Sequence, residues 1–113
     1  MPEKLHVVKR HDASFPYSLV VREGDEIDVG REDPEMPGWH WCTNAEGVSG
    51  WVPDSYIRIE GNKGRVVVDY DTIELTVEVG ETLEYIKETK GWAWCRNGEG
   101  EHGWIPLDKV EEI

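Results

Sequence analysis

All six tryptophans of this 113-residue chain lie in two copies of one pattern. The segment Gly38-Trp39-His40-Trp41-Cys42-Thr43-Asn44-Ala45-Glu46-Gly47-Val48-Ser49-Gly50-Trp51-Val52-Pro53 returns as Gly91-Trp92-Ala93-Trp94-Cys95-Arg96-Asn97-Gly98-Glu99-Gly100-Glu101-His102-Gly103-Trp104-Ile105-Pro106. The offset is a constant 53 residues, and 10 of the 16 positions are identical. Trp is the rarest residue type, and chance does not align it three times over. The chain is therefore two copies of one unit of about 55 residues, a size that is marginal but can fold alone. Such a unit is too short for most enzyme folds and long enough for a small β-barrel.

Cysteine gives these units no covalent support. Cys42 and Cys95 occupy the same position of the repeat, so neither copy can close a bridge internally. They are expected to be reduced, buried side chains. The segment Met1-Pro2-Glu3-Lys4-Leu5-His6 has no apolar run of the kind a signal peptide needs. No stretch approaches the roughly 18 apolar residues of a membrane span. A soluble, cytoplasmic protein is expected, with no membrane partner. The formal charge of −12 divides evenly, with 6 Lys/Arg and 12 Asp/Glu in residues 1–60 and again in 61–113. This field repels nucleic-acid phosphates and attracts basic segments, although much of it simply keeps the chain soluble.

Strand signals recur at short intervals. In the second copy, Arg65–Tyr70 is β-branched, Leu75–Val79 alternates apolar with polar, and Thr82–Ile86 follows the Gly80-Glu81 turn. Trp92–Cys95 and Gly103–Pro106 flank Asn97-Gly98, a strong hairpin signal, with Glu99-Gly100 as a longer alternative for the loop. Leu107-Asp108-Lys109 reads as a single turn before Val110–Ile113. The first copy follows the same plan, with a longer opening loop from His11 to Ser18 that carries Phe15-Pro16-Tyr17. Its loop before the first Trp is three residues longer and acidic, with Glu32, Asp33 and Glu35. No capped helical period appears. The expected architecture is all-β, with two tandem five-stranded barrels divided as residues 1–60 and 61–113. The division falls in Glu60-Gly61-Asn62-Lys63-Gly64.

These residues carry a resemblance. Val68-Asp69-Tyr70, an acidic stretch, Glu74-Leu75-Thr76-Val77, Val79-Gly80-Glu81, Gly91-Trp92 and Gly100-x-x-Gly103-Trp104-x-Pro106 resemble the order of motifs in Src-homology-3 (SH3) domains, above all the variant forms of small prokaryotic proteins. The resemblance covers nearly the whole chain, twice, and implies SH3-like barrels. It also implies a non-catalytic module whose aromatic groove binds an extended protein or peptide ligand, Pro-rich and basic. A polyproline segment is already extended, so it loses little entropy on docking between flat aromatic walls.

Carried over by motif, Trp39 and Trp92 match the groove Trp. Trp51 and Trp104 match the aromatic after Gly-x-x-Gly, and Pro53 and Pro106 match the groove Pro. Tyr56 and Tyr70 match two groove tyrosines, and Glu32, Asp33 and Glu35 supply the acidic loop beside Trp39. Three departures leave each copy incomplete. Val68 replaces the first groove Tyr, Lys109 replaces the counterpart of Tyr56, and Lys9-Arg10 replaces Asp-Tyr in the first copy. Tyr17, with Phe15, is expected to refill the first groove, which is the more competent of the two. Trp41 and Trp94 share a strand face with Trp39 and Trp92, and Cys42 and Cys95 point inward.

The competing expectation is a structural module. There the Trp faces pack the barrels together or form a homodimer, and neither groove works. No enzyme, cofactor or metal is expected. His6, His11, His40 and His102 have no zinc spacing with the two cysteines, and nothing assembles a nucleophile, base and oxyanion site.

Overall fold

Gly61 and Asn62 form the turn that organises this chain. The structure, a computed structural model, describes residues 3–14 and 18–113. Strand β6 (Ile57–Glu60) and strand β7 (Lys63–Val66) are joined by that two-residue loop, with Ile57 opposite Val66 and Glu60 opposite Lys63. Gly61 has a φ of 64°, the left-handed conformation that the first central residue of a type II′ hairpin turn requires. The segment expected to separate the two copies is thus a hairpin that joins them. The opening strand of the second copy pairs with the closing strand of the first.

The packing units follow from that hairpin. A continuous unit comprises Tyr17–Thr72, and a split unit comprises Met1–Pro16 with Ile73–Ile113. The expected cut after residue 60 falls inside the continuous unit. Sequence-adjacent strands pair through a short loop at small entropic cost, which is why β7 stays with β6.

The continuous unit holds a five-stranded antiparallel sheet, in the order β5 (Ser49–Pro53), β4 (Trp39–Thr43), β3 (Glu26–Glu32), β7 and β6. A two-stranded ribbon of β2 (Val20–Val21) and β8 (Tyr70–Asp71) accompanies it. Its interior includes Leu19, Val21, Ile27, Cys42, Val52 and Val66, each at most 2% exposed.

The split unit repeats the plan with a strand from the far end of the chain. Its sheet runs β11 (His102–Pro106), β10 (Trp92–Arg96), β9 (Thr82–Thr89), β1 (Lys4–Val7) and β12 (Val110–Glu112). Strand β1 fills the place that β7 fills in the other unit. Val7 faces Val110 as Val66 faces Ile57, and Leu5 faces Leu83 as Gly64 faces Ile27. Leu5, Val7, Leu75, Val77, Leu83, Tyr85, Ala93, Cys95, Ile105 and Val110 form its core.

The all-β architecture agrees with expectation, and the regular helical content of the described residues is two 3-10 turns, Asp54–Tyr56 and Leu107–Lys109. Two local expectations are corrected, and the length of one loop is decided. Leu75–Val79 alternates in burial, with Leu75 5% and Val77 0% exposed, yet it makes isolated bridges and not a ladder. Its partners are His11 and Trp104, and among the described residues no continuous strand runs beside it. Arg65–Tyr70 divides into β7 and β8. The Asn97-Gly98 hairpin is a five-residue loop, Asn97–Glu101, in which Gly100 takes the positive φ of 84°. Asn97 Oδ1 accepts hydrogen bonds from the backbone N–H groups of Glu99 and Glu101, so the side chain replaces part of the ladder.

Candidate functional site

Two aromatic side chains from different copies meet in the continuous unit. The 3-10 turn Asp54–Tyr56 follows β5 and lifts Tyr56 beside β8. The rings of Tyr56 and Tyr70 lie 5.2 Å apart at 80°, an edge-to-face contact. The Tyr70 hydroxyl donates to the Trp51 carbonyl at 3.1 Å, which fixes the ring against the end of the sheet. Tyr70 was expected to serve the second copy. It belongs to the barrel built mainly from the first, because the hairpin carries β7 and the residues after it into that barrel.

The remaining expected residues of this unit lie along β4 and β5. Trp39 faces Pro53, and Trp41 faces Trp51. The Trp41 and Trp51 rings pack edge-on at 5.0 Å. The Arg31 guanidinium lies 5.7 Å from the first ring centroid and 5.4 Å from the second. A cation over two indole faces is a favourable electrostatic contact. Trp51 and Tyr56 are half-buried, and Pro53 and Tyr70 are buried. Trp39 is only 8% exposed, so it presents little open surface. Tyr17 and Phe15 lie outside the described residues.

The loop acids are partly committed to their own backbone. Glu32 accepts the Gly38 N–H at 2.8 Å, and Asp33 Oδ1 accepts the N–H groups of Glu35 and Met36. Glu35 is exposed. Asp69, next to Tyr70, accepts the Glu23 N–H at 2.8 Å. Across residues 17–72 there are 5 Lys/Arg against 12 Asp/Glu, so a ligand meets negative potential around this unit.

In the split unit the same places carry different chemistry. His11 pairs with Val77 as Tyr70 pairs with Val21. Lys109 closes its 3-10 turn as Tyr56 closes the other. The Tyr-Tyr contact is thus replaced by a His and a Lys. His11 Nε2 lies 2.8 Å from Glu74 Oε1, and its ring meets Trp92 edge-on at 5.9 Å. Lys109 Nζ donates to the Arg10 carbonyl, and Arg10 pairs with Asp12 and Glu78. Trp104 is 4% exposed and packs at 5.1 Å against Trp94, which also stacks on His102. Trp92 and Pro106 are half-buried.

The exchange sorts the side chains. Lys9-Arg10-His11 joins Lys109, and Asp69-Tyr70 joins Tyr56. Neither copy contains an aromatic pair at these two places, and one packing unit does. The signal was present in the sequence, since each copy lacks the half that the other supplies. What the sequence did not show was which strand pairs with which copy. His11 was weighed only for metal binding and Arg31 not at all, because each gains its role from strand register alone.

Both thiols face inward at 0% exposure, and neither is bonded to the other. Burial pushes each from 9.0 up to about 11, so they stay protonated at neutral pH. Among the described residues no group of three or more His, Cys, Asp or Glu side chains converges to hold a metal ion. Among the described residues no helix is long and apolar enough to cross a membrane.

Comparison with curated proteins finds no match. The family model of the variant SH3 domain matches twice, over residues 6–60 and 63–113, and each unit holds one five-stranded sheet of that kind. The chain belongs to the variant SH3 domain family.

Proposed function

We propose that the continuous unit is a peptide-binding module that takes an extended, Pro-containing, basic protein segment against the half-buried Trp51 and Tyr56, which the buried Pro53 and Tyr70 support from behind. SH3-type domains are generally non-catalytic protein-interaction modules. The observation that carries this reading is the Tyr56–Tyr70 contact, which supplies in one barrel the aromatic wall that each sequence copy lacks. The acidic balance of the unit favours a basic ligand, in the cytoplasm, where unpaired thiols persist. The split unit offers Lys109 and His11 at the same place. A basic segment there loses aromatic contact and meets positive charge.

A titration with basic and neutral Pro-rich peptides, followed by amide shifts, tests this. Shifts are expected in residues 51–56 and around Tyr70, with affinity in the micromolar range, about −8 kcal/mol or weaker. Affinity falls with added salt as the loop acids are screened. Tyr70→Ala should weaken binding although it lies in the second sequence copy. Shifts confined to residues 92–109 would reject the assignment.

A second reading draws on the low exposure of Trp39 and Trp104, 8% and 4%. In that reading the Trp faces are packing surfaces of a structural or self-associating module. The absence of shifts with every peptide, together with a concentration-dependent mass in sedimentation, would favour it.

A further inference from the structure

Strands β1 and β7 take equivalent places in two barrels of one family, so each barrel must choose between them. Their sequences are Lys4-Leu5-His6-Val7 and Lys63-Gly64-Arg65-Val66. In both, the second and fourth residues are buried and the first and third are exposed. The fourth is Val in each, so it cannot discriminate. The second is Leu in one and Gly in the other, and it is the inward position at which the strands differ.

The two slots are shaped accordingly. A Cβ added to Gly64 would stand 2.9 Å from Val29 Cγ2, closer than real Cβ atoms come. A leucine needs three further carbons beyond that point. In the split unit, Leu5 is 3% exposed, faces Leu83 and belongs to the core cluster. A glycine there would leave a leucine-sized void, and protein cores tolerate such voids poorly.

We propose that the slot between β9 and β12 is a size-selective strand-acceptor site. It takes an extended segment with a large apolar residue at the Leu5 position, while the slot between β3 and β6 favours a strand with Gly at that position, because a Cβ there has to displace the Val29 methyl. The exchange of strands between copies is then dictated by the Leu5/Gly64 pair as well as by the β6–β7 hairpin. It does not depend on whether either groove binds peptide.

Disulfide trapping reads the choice directly. His6 faces Glu111 in the observed arrangement, and both are exposed. If each copy kept its own opening strand, position 6 would take the place of Arg65 opposite Arg58. Directly opposed residues of antiparallel strands are close enough to bridge. The pair His6→Cys with Glu111→Cys should therefore link, within one chain or between two copies. The pair His6→Cys with Arg58→Cys should not. Reversing the code with Leu5→Gly and Gly64→Leu should move the link from the 6–111 pair to the 6–58 pair. A 6–58 link in the unreversed chain, or a 6–111 link that survives reversal, would overturn the proposal. A second measurement avoids the reversed variant. The chain carrying Glu111→Cys and Leu5→Gly, whose own opening strand no longer fills the slot, is refolded with a synthetic peptide of residues 1–14 bearing His6→Cys. This peptide should be captured, and the same peptide with Leu5→Gly should not. Equal capture of both would overturn size selection.

Discussion

The buried thiols show what a single side chain contributes here. Cys42 and Cys95 lie on strands whose other faces carry Trp41 and Trp94, so the alternation of β4 and β10 already placed them inward. Nothing in their surroundings lowers their pKa, and burial raises both to about 11. At pH 8 a thiol reagent should modify the native chain slowly and the urea-unfolded chain rapidly. Fast labelling of both residues in the native chain would contradict the burial. The sign of the pH effect follows from the same shift. The folded pKa lies above the unfolded one, so the stabilisation is fully present below about pH 9 and is lost as pH rises toward 11. Replacing either Cys with Ser places a hydroxyl where the thiol is buried. The expected cost is roughly 1–3 kcal/mol, measured as a lower urea midpoint.

Among the elements, the two Gly-x-x-Gly-Trp loops share a sequence and differ in what passes over them. Gly50 and Gly103 are equivalent, and both are closed in. A Cβ on Gly103 would meet backbone, with Leu75 N at 2.8 Å and the Glu74 carbonyl carbon at 2.9 Å. On Gly50 it would meet the side chains of Thr72 and Leu19 at 2.9 and 3.1 Å. Side chains turn aside more readily than backbone, so Gly103→Ala should cost more than Gly50→Ala, the larger loss about 1–3 kcal/mol. Urea melts of the two variants rank them, and the opposite order would show that the neighbours of Gly103 relax. Most strands at this scale were readable, because period-2 patterns report which residues face inward. Leu75 and Val77 face inward as their alternation requires. Their lack of a ladder was not readable, because hydrogen-bond partners depend on which segment lies alongside. The length of the Asn97 loop was open in the sequence for a related reason. The first copy has Ala45 where the second has Gly98, and both loops place the positive φ at the later Gly47 and Gly100.

The whole chain is where the repeat and the packing part company. The sequence repeat, and the family matches with it, end near residue 60. The continuous unit runs instead from residue 17 to residue 72 and contains every strand from β2 to β8. Repeat periodicity cannot distinguish these, because two homologous strands fit either barrel by pattern alone. The distinguishing marks were Gly64 against Leu5 and the divided aromatic pair. Each is informative only once the alternative pairing is considered. A fragment of residues 17–72 keeps Val66 opposite Ile57 and Tyr70 beside Tyr56. It should fold alone, with marginal stability of a few kcal/mol for a domain of this size. A fragment of residues 1–60 follows the repeat but lacks Val66 and Tyr70, which are 1% and 7% exposed in the intact chain. Its own opening strand offers Leu5 to a slot in which a Cβ already crowds Val29. It should therefore remain largely unfolded, with little amide dispersion and no cooperative thermal transition. Dispersed spectra from 1–60 and collapsed spectra from 17–72 would reverse the assignment of β1 and β7. Folding of 17–72 with Tyr56 and Tyr70 in contact would put the complete aromatic wall in a segment that neither repeat contains by itself.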